Sequence, residues 1–407
     1  MEISKETLLF IEENARADVR SLALQAKKYP QVDMAMAVVQ IAGRQIAEAK
    51  VPSWHRIGGL LYPKHLSMEQ CSSEVTALYK AGLVEGETFA DLTGGFGIDC
   101  SFLSRKFKKA DYVERQAELC ELARHNFPLL GLDIEVHHED GVEYLKRMNP
   151  VDCLFLDPAR RDGHGGKTVA IADCEPDVSA LEELLVEKAK TVMVKLSPML
   201  DLSLALKTLK HVCEAHVVSV NNECKELLLV LQKASIPSQV LIHCEHIVNT
   251  SLCDFAHQHF AFTQEQEHTS DCLLTSQVEA YLYEPNASIL KAGAYRSLTQ
   301  SYEVKKLHAS SHLYTSSHFI EDFPGRRFQV ESVSGFGKKD LKTFLQGMEK
   351  ANLTIRNFPS SVADLRKRLK LKEGGENYIF ATTLADESKI LIKCKKVPSI
   401  LQELQNR

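Results

Sequence analysis

Between residues 88 and 231, short apolar runs alternate with helical stretches, and four successive runs lead into a carboxylate. The runs fall at 89–92, 112–114, 134–138, 153–156 and 192–196, with helical patterns such as 118–126 and 179–188 between them. Strands alternating with helices imply a parallel sheet with crossover connections. Two more runs, 216–220 and 227–231, are separated only by 221–226, too short for a crossover, so the spacing predicts an antiparallel hairpin. The expected fold is therefore α/β: a Rossmann-like, mostly parallel sheet whose last strand is reversed.

The most informative segment is FADLTGGFGID, residues 89–99, in which a strand ending at Asp91 is followed by Thr93, Gly94, Gly95 and Gly97 and then a helix. Glycine admits positive φ and close approach of a ligand, and a helix start offers free N–H groups. Glu114 stands 23 residues after Asp91, where an acid can accept hydrogen bonds from ribose hydroxyls. Asp140, followed by Gly141 in HHEDG, is placed to meet an adenine amine, and Asp157 lies in FLDPARR. A lone surface acid is ordinarily just solvated. Four in this register all face the carboxyl edge of the sheet, where ligands bind.

These residues also narrow the ligand. The glycine pattern is not GxGxxG, no GxxxxGK[ST] loop occurs, and clustered acids would repel a pyrophosphate. An adenosyl ligand with a cationic sulfonium and an amino-acid tail fits better.

Around this core the sequence divides into 1–80, helical, with 51–65 as a loop; 81–235, the α/β domain; 236–325, a linker and small α+β region; and 326–407, a basic α+β module. Ser67 with Gln70 reads as a capping box opening a helix that stops near Gly82. Residues 236–280, polar and rich in His and Gln, read as irregular. Residues 326–407 carry 17 Lys+Arg against 9 Asp+Glu, whereas the whole chain has a formal charge of −5. That basic segment, with Arg366, Lys367 and Arg368 on a helix at 362–371, points to a polyanionic partner. Arg160, Arg161 and Lys195 lie near the expected acceptor face. Eleven cysteines without a CxxC pair imply reduced thiols and a cytoplasmic protein. No apolar run is long enough to span a membrane, so no membrane partner is expected. His243-Cys244-Glu245-His246 lacks ligand pairs at finger or zincin spacing, so no metal is expected. Nothing in the sequence sets the oligomeric state, and a monomer is favoured.

The order DLTGGFG, YVE, HHEDG and LDPAR, closed by a strand hairpin, resembles the class I S-adenosylmethionine-dependent methyltransferases. The stretches LSMEQCSSEVTALYKA (66–81), LYEPNASILKAGAY (282–295) and RNFPSSVADLRKRLKLKEGGENYIFATTL (356–384) bring it closest to a bacterial group with a THUMP-like C-terminal module. The resemblance implies S-adenosylmethionine as cofactor and RNA, tRNA or rRNA, as substrate. By position, Asp91, Thr93, Gly94, Gly95 and Gly97 would cradle the methionine moiety, Glu114 the ribose, and Asp140 with Gly141 the adenine. Asp157 and Pro158 would lie beneath the methyl group.

The chain departs from the exocyclic-amine enzymes at Ala159-Arg160, where those carry Pro-aromatic. Arg160 can instead stack its guanidinium plane on a base or grip a phosphate. The fifth strand runs into VKLSPMLD without a cysteine, which disfavours a covalent route to uracil C5. Direct transfer to nitrogen or oxygen is expected, with Asp157, Pro158 and Arg160 as the catalytic set. The rival is a non-catalytic RNA-binding protein that keeps the fold.

Overall fold

The computed structural model describes residues 3–160, 170–233, 238–249 and 255–398. The chain packs as two units, Met1–Cys213 with Leu227–Pro237, and Glu214–Glu226 with Ser238–Arg407.

The first unit begins with α1 (Lys5–Glu13), α2 (Val19–Leu24) and α3 (Met34–Lys50), started by Ser4, Asp18 and Asp33. Each of these side chains accepts a first-turn N–H, a cap worth about 1 kcal/mol. Phe10, Ile11, Leu22, Met34, Ala37 and Ile41 close a small core between the helices. After α4 (Pro52–His55), the helix expected from Ser67 to Gly82 is broken into α5 (His65–Gln70) and α6 (Glu74–Ala81). Cys71 turns extended and Ser73 becomes the cap, accepting from Thr76 N, so the capping box read at Ser67 is corrected. Ser72, between them, points its hydroxyl at Asp99 instead.

The sheet follows as β1 (Thr88–Asp91), α7 (Ile98–Leu103), β2 (Lys109–Glu114), α8 (Ala117–Leu129), β3 (Glu135–His138), α9 (Gly141–Arg147) and β4 (Val151–Leu156). Two short strands, β5 (Ala159–Arg160) and β6 (Cys174–Glu175), pair with each other. Then come α10 (Val178–Lys188), β7 (Ala189–Leu196), α11 (Leu202–Thr208), β8 (Val212–Val220) and β9 (Glu223–Leu231). Within this unit the strands run β3-β2-β1-β4-β7-β9. All neighbours are parallel except β9, which lies antiparallel to β7 with Val192 opposite Leu231. The reversed last strand is therefore present. Asn221 and Asn222, at φ +50° and +65°, form the two-residue turn between β8 and β9.

One consequence positions the site. The chain leaves β1 toward β2 on one side, while β4 pairs on the other. Where strand order reverses in this way, the loops diverge and open a crevice at the carboxyl ends of the strands.

In the second unit, the described residues between 238 and 280 are not irregular. They contain β10 (Leu241–Asn249), β11 (Phe255–Thr263) and α12 (Gln264–Thr269), with β10 parallel to β8 and antiparallel to β11. Ile242, Cys244, Phe260 and Phe262 are buried, but His243, Glu245, His257 and His259 alternate on the other face, so only half the strand signal is apolar. A second sheet holds β12 (Tyr281–Pro285), β13 (Lys305–Lys306), β14 (Tyr314–Ser316), β15 (Gly325–Ser334), β16 (Asn352–Arg356), β17 (Asn377–Thr383) and β18 (Lys389–Lys396). Its order is β13-β14-β12-β15-β18-β17-β16, with α13 (Ala287–Ala292), α14 (Ser297–Ser301), α15 (Lys338–Phe344) and α16 (Val362–Leu369) in the connections. No helix among the described residues is long and apolar enough to cross a membrane.

Candidate functional site

A cavity of about 300 Å³ occupies the crevice at the carboxyl ends of β1, β2 and β4. Its floor is the loop after β1. Gly95 and Gly97 sit at φ +55° and +86°, and Gly97 leads into α7. Gly94 is fixed by packing: a Cβ there would lie 2.2 Å from a Tyr112 ring carbon. The Tyr112 hydroxyl in turn donates to the Gly95 carbonyl at 2.5 Å. The glycine run thus shapes the loop against β2 as much as it clears space for a ligand.

The four acids read from the sequence all line this cavity. Glu114, at the end of β2, accepts from Gly95 N at 2.9 Å with one oxygen and from Gln116 N at 2.8 Å with the other. Asp140 lies two residues beyond β3 rather than at its end, and caps α9 through Oδ1, which accepts from Val142 N and Glu143 N. Asp157 follows β4, and its N–H donates to Thr93 Oγ1 at 2.6 Å, tying the two loops together. Pro158 beside it is buried. Asp91 accepts from Thr93 N at 3.0 Å and is only 1% exposed. Burial, reinforced by Asp99, Asp157 and Glu114, pushes its carboxyl well above the usual range. A buried acid among three others is a place where a cation is favoured.

Sequence reasoning missed the polar group behind these acids. Asp99, on the first turn of α7, is reached by Lys80 Nζ at 3.1 Å, Lys195 Nζ at 3.4 Å and the Ser72 hydroxyl at 2.7 Å. Burial disfavours the Asp99 carboxylate, but the two ammoniums outweigh it and hold its pKa down to about 2. Lys195 Nζ also donates to Asp157 Oδ2 at 2.5 Å, so this lysine is engaged inside the site and is not a loose surface cation. Arg115 and Glu175, 2.8 Å apart, form one rim of the cavity. The only local signal for Lys80 was a charged residue on the inner stripe of a helix.

Other expected site residues lie elsewhere. The backbone of Arg160 pairs with Cys174 in the β5–β6 ribbon; its side chain and all of Arg161 lie outside the described residues. Arg366, Lys367 and Arg368 are on α16 in the second unit. Arg366 donates to the Ala351 carbonyl at 3.2 Å, Arg368 lies 4.9 Å over the Phe336 ring, and Lys367 is exposed.

Two family models match the C-terminal part: a ferredoxin-like domain at residues 281–324 and a THUMP domain-like module at 325–396. No curated protein matches the chain significantly. Among solved structures, a candidate methyltransferase from Porphyromonas gingivalis W83 superposes with a TM-score of 0.85 at 35% identity, over 98% of this chain and 100% of that one. A candidate class I S-adenosylmethionine-dependent methyltransferase from Listeria monocytogenes covers 61% of this chain and 94% of its own, at 13% identity and a TM-score of 0.37. Full-length similarity to the Porphyromonas protein, joined to the sheet order and the THUMP-like module, gives the family: the chain belongs to the candidate methyltransferases that combine a class I S-adenosylmethionine-dependent methyltransferase fold with a THUMP-like domain.

Proposed function

We propose that the chain transfers a methyl group from S-adenosylmethionine directly to a base or ribose of RNA, tRNA or rRNA. The observation that carries the cofactor half is the convergence of Asp91, Glu114, Asp140 and Asp157 on one cavity, with Asp91 buried among neighbouring carboxylates. Asp91 and the loop of Thr93, Gly94, Gly95 and Gly97 would hold the amino-acid end. Each Glu114 oxygen accepts one backbone N–H and keeps a lone pair for a ribose hydroxyl. Asp140 caps α9 through Oδ1, which leaves Oδ2 to meet an adenine amine beside Gly141.

When bound, S-adenosylmethionine supplies an electrophilic methyl group on a sulfonium. The protein's part is positioning. Lys195 fixes the Asp157 carboxylate, and Asp157 with buried Pro158 forms the edge against which an acceptor amine or hydroxyl is oriented and its proton taken up.

Support for RNA comes from the second unit. Residues 325–396 match a THUMP-like module, a type found in RNA-modifying enzymes. A cavity of about 250 Å³ there is lined by Arg326, Arg327 and Lys396 together with Asn221 and Asn222. Burial, then Arg326 and Arg327, lowers the pKa of Lys396, so an arriving phosphate would relieve repulsion on that ammonium, while Arg326 is already paired with Glu284. We place the protein in the cytoplasm, in keeping with its described cysteines, all free thiols.

A second reading, RNA binding without catalysis, is favoured by the Ala159–Arg160 backbone being engaged in a strand pair where related enzymes carry Pro-aromatic. Methyl incorporation from labelled cofactor into bulk small RNA separates the two. Transfer that depends on the protein supports the enzyme; tight S-adenosylhomocysteine binding with no transfer to any RNA supports the alternative.

A further inference from the structure

Strands β8, β10 and β11 of the second unit place several imidazoles and carboxylates on one face. His216 stands opposite His243, Glu214 opposite Leu241, and Glu245 opposite His259. Because side chains alternate along a strand, Glu214, His216, His243, Glu245, His257 and His259 share that face.

Glu214 Oε2 lies 3.4 Å from His216 Nε2 and 3.9 Å from His243 Nε2. The ligand atoms of these three residues fall within 4.8 Å of one another. Around a tetrahedral ion with bonds of about 2.0–2.1 Å, neighbouring ligands stand about 3.4 Å apart. The Glu214–His216 separation is therefore of the right size before any ion enters, and the other two need a small closing movement. The two rings are stacked, 4.6 Å between centroids and 10° between planes, so a tilt of one ring completes the convergence.

His243 supplies the strongest argument. Its Nδ1 lies 3.1 Å from His259 Nε2, and its Nε2 is buried and makes no hydrogen bond. Two ring nitrogens at that distance need a proton between them. When His243 Nδ1 carries it, Nε2 presents a bare lone pair toward Glu214 and His216. This is the tautomer a metal-binding histidine adopts when its other nitrogen is held by a neighbour.

We propose that Glu214, His216 and His243 bind one divalent first-row transition ion of the zinc type, with His259 orienting His243 and solvent completing the coordination. Two imidazoles and one carboxylate suit zinc and cobalt better than magnesium or calcium, which favour all-oxygen shells. The sequence concealed the site because its ligands come from 214, 216 and 243, not from a local pair. Of the 243–246 run only His243 takes part.

The test uses the full chain without a polyhistidine tag, stripped with chelator and titrated with Co²⁺ as the probe. One Co²⁺ per chain is expected, with visible d–d absorption, no thiolate-to-cobalt charge-transfer band, and displacement by Zn²⁺. Glu214→Gln and His243→Gln should each weaken binding at least about tenfold, as loss of a ligand does. His257→Gln, which removes a ring paired with Glu245 at 2.5 Å, should leave affinity unchanged. Glu214 is half exposed, so its amide variant is expected to fold; an unchanged melting curve checks this before titration. No uptake by wild type, equal affinity in both ligand variants, or a thiolate band overturns the proposal.

Discussion

Lys195 Nζ and Asp157 Oδ2 lie 2.5 Å apart, joining the end of β7 to the residue that follows β4. The pair sits at the edge of the cavity, and Lys195 is held from behind by Asp99 and Ser72. Lys195→Met should lower methyl transfer to bulk small RNA by about 10²-fold, the usual scale for losing alignment of a reacting group. Affinity for S-adenosylhomocysteine should not fall to match. Single-turnover rates beside calorimetry make the comparison, and Lys195→Arg should recover part of the rate.

Glu114 does two jobs, and substitutions can separate them. Glu114→Ala removes the acceptor of both Gly95 N and Gln116 N, so it should weaken S-adenosylhomocysteine binding and also lower stability by about 1–3 kcal/mol per orphaned donor. Glu114→Gln keeps one acceptor oxygen and should lose affinity with a smaller drop in melting temperature. Calorimetry and thermal unfolding on both variants measure the split. Unchanged affinity in either would place the ribose elsewhere.

Asp91 gives a pH signature. Its folded pKa is raised above the ordinary 3.8, so the stability contributed by its protonated form is full below that value and lost as pH rises through the folded pKa. As pH rises above the ordinary 3.8, burying this carboxyl increasingly opposes folding. Asp91→Asn should therefore raise the melting temperature of the cofactor-free protein at pH 7, with the gain shrinking as pH approaches about 4. The same variant should bind S-adenosylhomocysteine more weakly, because the carboxylate that favours its ammonium is gone.

Lys80 and Asp99 behave in the opposite sense. With its folded pKa lowered from 3.8 to about 2, Asp99 contributes stability above 3.8 that is lost as pH falls through about 2. Lys80, 0% exposed, is one of its two ammonium partners. Lys80→Met should destabilise the protein by about 1.5–3 kcal/mol, the cost of losing one charged hydrogen bond while Lys195 still faces Asp99. It should also move this acid transition to higher pH. Denaturant unfolding at pH 7 and at lower pH reads both effects.

For RNA, the cationic cavity is a sharper target than α16. Arg327→Gln with Lys396→Gln should weaken small-RNA binding and reduce the salt slope by about 1 per lost phosphate contact. Lys367→Gln should do less. Arg366→Gln should mainly cost stability, because its guanidinium holds the Ala351 carbonyl. Filter binding across a salt series measures the RNA effects, and thermal unfolding the Arg366 effect.

The sheet and the positions of Asp91, Glu114 and Asp157 were legible because an acid closing a short apolar run leaves a local mark. Lys80, Asp99 and Ser72 were not, since their meeting depends on how α6 and α7 pack. Residues 236–280 were misread because polar residues on one face of β10 and β11 hide the apolar alternation of the other. The helix split at Cys71–Ser73 was hidden for a related reason: Ser67 and Ser73 both have capping chemistry, and only the packed structure selects between them.

The β8–β9 hairpin carries a consequence for synthesis. Its greater part, Glu214–Glu226 with the tip, counts with the second unit, whereas Leu227–Leu231 completes the first by pairing with β7. On the ribosome, β7 must wait with one edge unpaired until residue 231 has emerged, by which time the tip has already been made. No single cut in the chain yields two complete halves, so the gene cannot be divided between them at one junction.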